Sequence, residues 1–285
     1  MRELGKLTAE ELEALLLRLR GRERRLEVAI LHGLIELDRR KLYLDWGYAS
    51  LFAYCVERLG YCESAAGRRI AAARAMQRLP RIEAMMLAGE LRLSTVAMAA
   101  KLLDDGLLEE IRGKTQRQVQ EILARRGTAS PRPDSVQAVG QEWEFRFTAG
   151  EALRKKCERA RALMSKKHPE GVSCEQVFEA ALDEYLKRND PASAPPRHSP
   201  RGSKRRSRYI PTAVRRAVWR RDGGRCMYRA GGRRCGSTWD VEVDHVNLFC
   251  RGGTHRESNL RLLCAAHNRR EAERSLGKGW MKQFY

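Results

Sequence analysis

The sequence predicts a mainly α-helical N-terminal half and a small α+β domain at the C-terminus. Two observations carry this prediction. From residue 7 to residue 124, apolar residues recur at helical spacing between capping signals, and no strand pattern interrupts them. In the last third of the chain, by contrast, an alternating segment, a Gly-Gly turn and several Cys and His residues lie close together.

The N-terminal half contains clear signals for helix starts. Thr8 and Glu11 have the spacing of a capping box in front of a leucine-rich stretch. Ser50 and Ser64 are each placed to cap a further helix. We therefore predict an α-helical domain over residues 1–125.

Three segments are expected between this domain and the C-terminus. Residues 126–141 contain Gly, Ser and Pro without periodicity, which predicts a linker. Residues 142–188 read as one strand and two helices, an order that resembles a ribbon-helix-helix module and makes this segment a candidate for homodimerisation. Residues 189–207 are rich in Pro, Ser and Arg and predict a flexible basic tether, and residues 208–285 form the last domain.

The charge of the chain indicates a polyanionic partner. Its 285 residues carry a formal net charge of +20, and residues 196–285 alone contain 22 Lys/Arg against 7 Asp/Glu. A folded protein of this kind is expected to bind nucleic acid or an anionic membrane surface. No apolar run has the length of a membrane span and the first residues do not resemble a signal peptide, so we expect a soluble, cytoplasmic protein without a membrane partner.

Four residues near the C-terminus are of the types that bind zinc: Cys226, Cys235, Cys264 and His267. Cys264 and His267 have the two-residue gap of a zinc knuckle, whereas Cys226 and Cys235 are separated by a longer loop. A structural Zn²⁺ would help such a small domain to fold. The alternative is that these cysteines are free thiols in a small core.

A second feature is the segment Val241-Glu242-Val243-Asp244-His245, which alternates as a half-buried strand does and ends on an acid beside a histidine. The turn Gly252-Gly253 that follows predicts a hairpin. A carboxylate beside an imidazole suits metal-assisted phosphodiester hydrolysis. Alone, however, an Asp-His pair is a very weak motif and is much more often an ordinary pair on a protein surface.

The combined order of these motifs resembles the HNH endonuclease family over about residues 210–276. The resemblance implies a β-hairpin and a helix around one divalent cation, Mg²⁺ or Mn²⁺, that is, a ββα-metal fold. By resemblance, Asp244 is a ligand of this cation and His245 is the general base. By the same resemblance, Asn259 would support the loop and orient His245, and Asn268 would be the last ligand of the catalytic cation.

One ligand assignment stays open at this point. In the family, the residue after the second knuckle ligand is usually His, whereas here His267 occupies the knuckle position and Asn268 follows it. We assign His267 to zinc. The alternative places His267 on the catalytic cation, with zinc either absent or completed by Cys250. His255, in the loop before Asn259, is expected to be an exposed histidine.

The resemblance extends to the binding partner. Five arginines are candidates for contact with the nucleic-acid backbone: Arg215, Arg216, Arg220, Arg221 and Arg251. The N-terminal half resembles helical domains attached to bacterial HNH proteins and, more faintly, helix-turn-helix segments. Its alternative role is that of a structural or protein-binding helical bundle.

The function implied by the resemblance is hydrolysis of double-stranded DNA by an HNH endonuclease in the bacterial cytoplasm, associated with the nucleoid when bound. Two alternatives are a zinc-containing DNA-binding regulator that does not cleave, and an RNA-directed nuclease or toxin. Because the tether separates the halves, a fragment from about residue 204 is expected to fold with zinc by itself.

Overall fold

The computed structural model describes residues 4–126, 134–168, 170–192 and 207–284. The chain forms two compact units. The first unit contains Met1–Ala129, Tyr228–Ser237 and Ala266–Tyr285, and the second contains Ser130–Met227 and Thr238–Ala265. Each unit is thus built from segments that are separated in the sequence.

The N-terminal part of the first unit is helical, as predicted. Its helices are α1 (Ala9–Arg40), α2 (Leu42–Asp45), α3 (Leu51–Glu57), α4 (Glu63–Arg78), α5 (Arg81–Ala88), α6 (Leu93–Ala99), α7 (Asp105–Glu110) and α8 (Gln116–Arg125). Their core includes the fully buried Leu31, Leu34, Ile82, Leu107 and Val119. None of the helices in the described ranges is both long and apolar enough to cross a membrane.

The helix starts test the capping predictions. At α1 the Glu11 amide donates to Thr8 Oγ1 at 3.2 Å and the Thr8 amide donates to Glu11 Oε2 at 2.9 Å, which confirms the capping box. Ser50 caps α3 by accepting from the amide of Ala53. The prediction for Ser64 is wrong, because α4 already begins at Glu63 and Ser64 lies within its first turn.

The segment after α8 begins with a hairpin of two strands, β1 (Ser135–Val139) and β2 (Glu142–Arg146). Strand β1 lies in the range predicted as a linker, so the later part of that range is a strand, while residues 127–133 lie outside the described residues. Two helices follow, α9 (Glu151–Met164) and α10 (Cys174–Asn189). Since β2 pairs with β1 of the same chain, it differs from the strand of a ribbon-helix-helix module, which pairs across a dimer.

Residues 193–206, most of the predicted tether, lie outside the described residues. The chain then forms α11 (Thr212–Asp222), β3 (Arg229–Ala230), β4 (Arg233–Arg234), β5 (Val241–His245), β6 (Leu260–Cys264), α12 (Ala265–Leu276) and α13 (Lys278–Met281). Strands β5 and β6 pair antiparallel, with Asp244 opposite Arg261 and His245 opposite Leu260. This confirms the hairpin predicted from the Gly-Gly turn.

A small core supports this hairpin within the second unit. Val218 of α11 packs with Ile210 and with Leu260 and Leu262 of β6, all of them buried. The buried carboxylate of Asp222, at the end of α11, accepts from the amide of Leu262 at 2.8 Å. Helix α11 therefore fixes the strand that lies opposite Asp244 and His245.

Candidate functional site

Three thiols and one imidazole come together at the C-terminal end of the chain. The ligand atoms of Cys226, Cys235, Cys264 and His267 all lie within 4.8 Å of one another. Cys226, Cys264 and His267 are buried and Cys235 is half-buried. These are the four residues that the spacing of the sequence predicts as zinc ligands.

The cluster fits a tetrahedral zinc site in donor type and in spacing. Zinc binds thiolate sulfur at about 2.3 Å, which places neighbouring donors of a tetrahedron roughly 3.8 Å apart. Side chains already gathered within 4.8 Å need only small movements to reach that geometry. Cys250 is exposed in the 3₁₀ turn Phe249–Arg251 and is not a member of the cluster, so His267 is the better fourth ligand.

His267 is held by residues of the helical part of its own unit. Its ring stacks on Tyr228, with centroids 4.0 Å apart and planes 11° apart. Its Nε2 lies 3.1 Å from the carbonyl oxygen of Leu44. Because a carbonyl oxygen only accepts, Nε2 carries a proton, and on a neutral ring Nδ1 is then the nitrogen that can bind a metal.

Asp45, the residue after Leu44, forms hydrogen bonds with two arginines further along α12. Its carboxylate accepts two hydrogen bonds from Arg270, at 2.9 and 2.6 Å, and one from Arg274 at 2.7 Å. The hydrogen bonds from Arg270 hold the pKa of Asp45 below its usual range, against the opposing effect of burial. Arg233 of β4 also pairs with Glu57 of α3. A fragment of residues 204–285 lacks Leu44, Asp45 and Glu57, which argues against the expectation that it forms a complete zinc site by itself.

The Asp-His pair lies at the end of β5. Asp244 faces Arg261 on the opposite strand, whose Nε donates to Asp244 Oδ2 at 2.9 Å. The side chains of both residues are largely shielded from solvent. The guanidinium therefore fixes one oxygen of a carboxylate, which is a donor type that hard cations prefer.

His245 forms a hydrogen bond to a second histidine. Its Nε2 lies 3.0 Å from Nδ1 of His255, and Nε2 of His255 lies 2.7 Å from the carbonyl oxygen of Ser207. The prediction that His255 is an exposed loop residue is wrong, since it is half-buried and bound at both ring nitrogens. Burial, and secondarily the neighbouring His255, lower the pKa of His245 below its usual value.

The loop between β5 and β6 is closed by Asn259. Its side-chain amide donates to the carbonyl oxygens of Asn247 at 3.1 Å and Thr254 at 2.9 Å, and its Oδ1 accepts from the amide of Asn247 at 2.8 Å. The turn requires glycine at Gly253, because a Cβ there would lie 1.8 Å from the carbonyl oxygen of Asn247. Asn259 therefore supports the loop that carries His255, next to His245.

Comparison with known proteins identifies the family of the N-terminal part of the chain. Residues 13–189, more than half of the chain, match the family described as Domain of unknown function (DUF222). The chain belongs to the DUF222 family. No HNH family model matches it. No curated protein and no solved structure matches the chain.

The DUF222 match ends at residue 189, at the end of α10. It includes Leu44 and Asp45, which position α12, but none of the residues of the Cys-His cluster and neither member of the Asp-His pair. The family name therefore assigns no chemistry to either site. It does show that the segment in contact with His267 and Arg270 is part of a family domain.

The five arginines predicted to contact nucleic acid differ in their exposure to solvent and in their hydrogen bonds within the protein. Arg215, Arg220 and Arg251 are exposed, and Arg216 is half-buried. Arg221 donates to both carboxylate oxygens of Asp222 and to the carbonyl oxygens of Glu257 and Leu260. The geometry thus gives Arg221 an internal role, joining α11 to the hairpin.

Several residues around the sites were not identified from the sequence. Arg261 could have been found by pairing β5 with β6 outward from the Gly-Gly turn, which places it opposite Asp244. No local signal identifies Leu44, which acts through a backbone oxygen, or Asp45. Asn268 lies in the first turn of α12, half-buried, one residue after His267.

Proposed function

We propose that this protein is a metal-dependent endonuclease of the HNH type that hydrolyses DNA phosphodiester bonds. The observation that carries the proposal is the arrangement of His245 at the end of an antiparallel hairpin, beside Asp244 and under a loop closed by Asn259. DUF222 domains are commonly paired with HNH domains in bacteria, which adds support.

His245 is the general base in this proposal. Burial, and secondarily His255, lower the pKa of His245, which favours the neutral ring that can take a proton from water. Its Nε2 is engaged by His255, which leaves Nδ1 as the nitrogen that can accept the proton. Asn259 acts as a positioning residue, because its hydrogen bonds hold the loop and not the substrate.

Asp244 and Asn268 are the proposed ligands of the catalytic Mg²⁺ or Mn²⁺. A carboxylate and an amide oxygen are suitable donors for a hard cation, and Arg261 holds the carboxylate of Asp244 through a hydrogen bond to Oδ2. When bound, such a cation would polarise the scissile phosphate and neutralise developing negative charge. By family resemblance, the products carry 3′-hydroxyl and 5′-phosphate ends.

A second metal, Zn²⁺, would be structural in this scheme. The cluster of three cysteines and His267 offers four donors, which leaves no coordination position for a substrate. Its proposed role is to fix α12, and with it Asn268, through the ligand His267. Zinc would therefore support cleavage without taking part in the chemical step.

The proposed substrate is double-stranded DNA. The net charge of +20 and the exposed arginines Arg215, Arg220 and Arg251 suit a phosphate backbone. Two further predictions from the sequence stay open, a cytoplasmic location and a homodimer through residues 142–188.

The test uses supercoiled plasmid and the full-length protein, with Mg²⁺, Mn²⁺ or EDTA. Loss of a general base typically costs about 10²- to 10⁴-fold in rate, and we expect His245→Ala to lose cleavage to this extent. DNA binding should change by no more than a few fold, since phosphate contacts supply most of the affinity.

The matched control is His32→Ala, which removes an exposed histidine that pairs with Glu83. It should cleave like the unaltered protein. Undiminished cleavage by His245→Ala would refute the assignment of the base. DNA binding without cleavage under any metal would favour the non-cleaving regulator, and cleavage of a labelled RNA alone would favour the RNA-directed nuclease.

A further inference from the structure

A chain of hydrogen bonds fixes where the protons lie on two neighbouring histidines. The carbonyl oxygen of Ser207 can only accept, so Nε2 of His255 donates to it at 2.7 Å. A neutral imidazole has one N–H, and Nδ1 of His255 is therefore an acceptor. It follows that Nε2 of His245 donates to His255 at 3.0 Å and that Nδ1 of His245 has the free lone pair.

The position of His255 is itself restrained from two sides. Its ring is stacked on Phe249, with centroids 5.2 Å apart and planes 2° apart. Phe249 also contacts His245, with centroids 5.7 Å apart. The carbonyl of the preceding residue, Thr254, accepts from the side chain of Asn259 at 2.9 Å. The ring of His255 is thus held by stacking on Phe249, and its backbone is held by the hydrogen bond between Thr254 and Asn259.

We propose that His255 is a positioning residue that fixes both the tautomer and the ring orientation of His245. In that orientation Nδ1 of His245 is the nitrogen presented to water. The catalytic meaning of this inference rests on the proposed nuclease function. The placement of the proton does not, and it can be measured without any substrate.

The first measurement is made on the full-length protein with ¹⁵N-labelled histidine, at a pH where both rings are neutral. Long-range ¹H–¹⁵N spectra should show His245 as the Nε2–H tautomer. A scalar coupling across the hydrogen bond should connect His245 Nε2 with His255 Nδ1. A His245 ring protonated at Nδ1, or the lack of this coupling, would overturn the inference even if the protein cleaves DNA.

The second measurement compares two variants. His255→Leu removes the acceptor, and we expect kcat to fall roughly 10- to 100-fold with little change in KM, because the base is misoriented. His255→Asn places an amide oxygen close to the former position of Nδ1 and should restore much of kcat. Zinc content and circular dichroism of both variants report whether they are folded.

The outcomes separate the inference from the proposed function. The expected tautomer and coupling in a protein that cleaves no nucleic acid would refute the nuclease proposal and leave the positioning of His245 standing. Equal kcat for His255→Leu and the unaltered protein, with both folded, would show that His255 does not position the base.

Discussion

Replacement of Asp45 by Asn tests whether the helical domain helps to build the zinc site. The substitution keeps the shape of the side chain and removes the charge that faces Arg270 and Arg274. The unaltered carboxylate accepts three hydrogen bonds from these guanidinium groups. The Arg270 side chain is 14% exposed and that of Asp45 is 25% exposed, so this pair is partly shielded from water.

The expected cost follows from these contacts. Hydrogen bonds to charged groups contribute about 1.5–3 kcal/mol when shielded, whereas exposed ion pairs contribute about 0–1 kcal/mol. Arg274 is 47% exposed and belongs to the second group. The asparagine still accepts one bond from Arg270, so we expect a net loss of about 2 kcal/mol in stability.

This loss should appear in zinc affinity, because His267 lies on the same helix as Arg270. Metal binding and the ordering of the ligand helix are thermodynamically linked. A cost of about 2 kcal/mol corresponds to roughly 30-fold weaker binding. Competition with a chromophoric chelator measures the affinity, and urea unfolding at saturating zinc measures the stability.

The control for Asp45→Asn is Asp105→Asn. Asp105 pairs with Arg81, and both side chains are more than half exposed. This change makes the same chemical substitution in an exposed ion pair, so it should cost less than about 0.5 kcal/mol and leave zinc affinity unchanged. Equal zinc affinities for the two variants would refute the coupling between the helical domain and α12.

Three further predictions concern the zinc cluster and the loop. Cys235→Ser should lose zinc on dialysis against EDTA, whereas elemental analysis of Cys250→Ser should still find about one zinc per chain. The opposite result would make Cys250, and not Cys235, the zinc ligand. Gly253→Ala should destabilise the protein by about 1–3 kcal/mol in urea unfolding, because its Cβ meets the carbonyl of Asn247, and an unchanged midpoint would contradict the turn geometry. Asn259→Ala should lose about 2 kcal/mol of stability in the same assay and lower plasmid cleavage by His245, and full cleavage would show that the loop does not need this support.

Local features of the site could be predicted from the sequence because their signals are local. The alternation of Val241 and Val243 and the Gly-Gly turn predict the hairpin, and β5 and β6 pair as expected. The spacing of Cys264 and His267 predicts a knuckle, and the two residues lie in one cluster. In each case the prediction needs only the types of the residues and their separation in the sequence.

The contacts that orient these residues could not be predicted in the same way. Asp45 and Arg270 are separated by 225 positions, and acids and arginines are frequent in this chain, so their pairing has no sequence signature. His255 is ten positions from His245, but the intervening loop includes the 3₁₀ turn Phe249–Arg251, which no periodicity predicts. Both contacts depend on packing that only the folded chain defines.

The two histidines of the proposed sites illustrate what such contacts add. In His267 the ring nitrogen Nε2 donates to the Leu44 carbonyl, and in His245 it donates to His255. On a neutral ring the lone pair then lies on Nδ1 in both residues, which is the nitrogen that can bind a metal in His267 and accept a proton in His245. The motif specifies that a histidine is present, while a partner outside the motif decides which nitrogen can act. A chain that retained both histidines but had a non-accepting residue in place of His255 would keep the motif and lose the acceptor that fixes the tautomer of His245. A substitution at His255, which lies outside the motif, should therefore show whether His245 needs this hydrogen bond in order to act as a base.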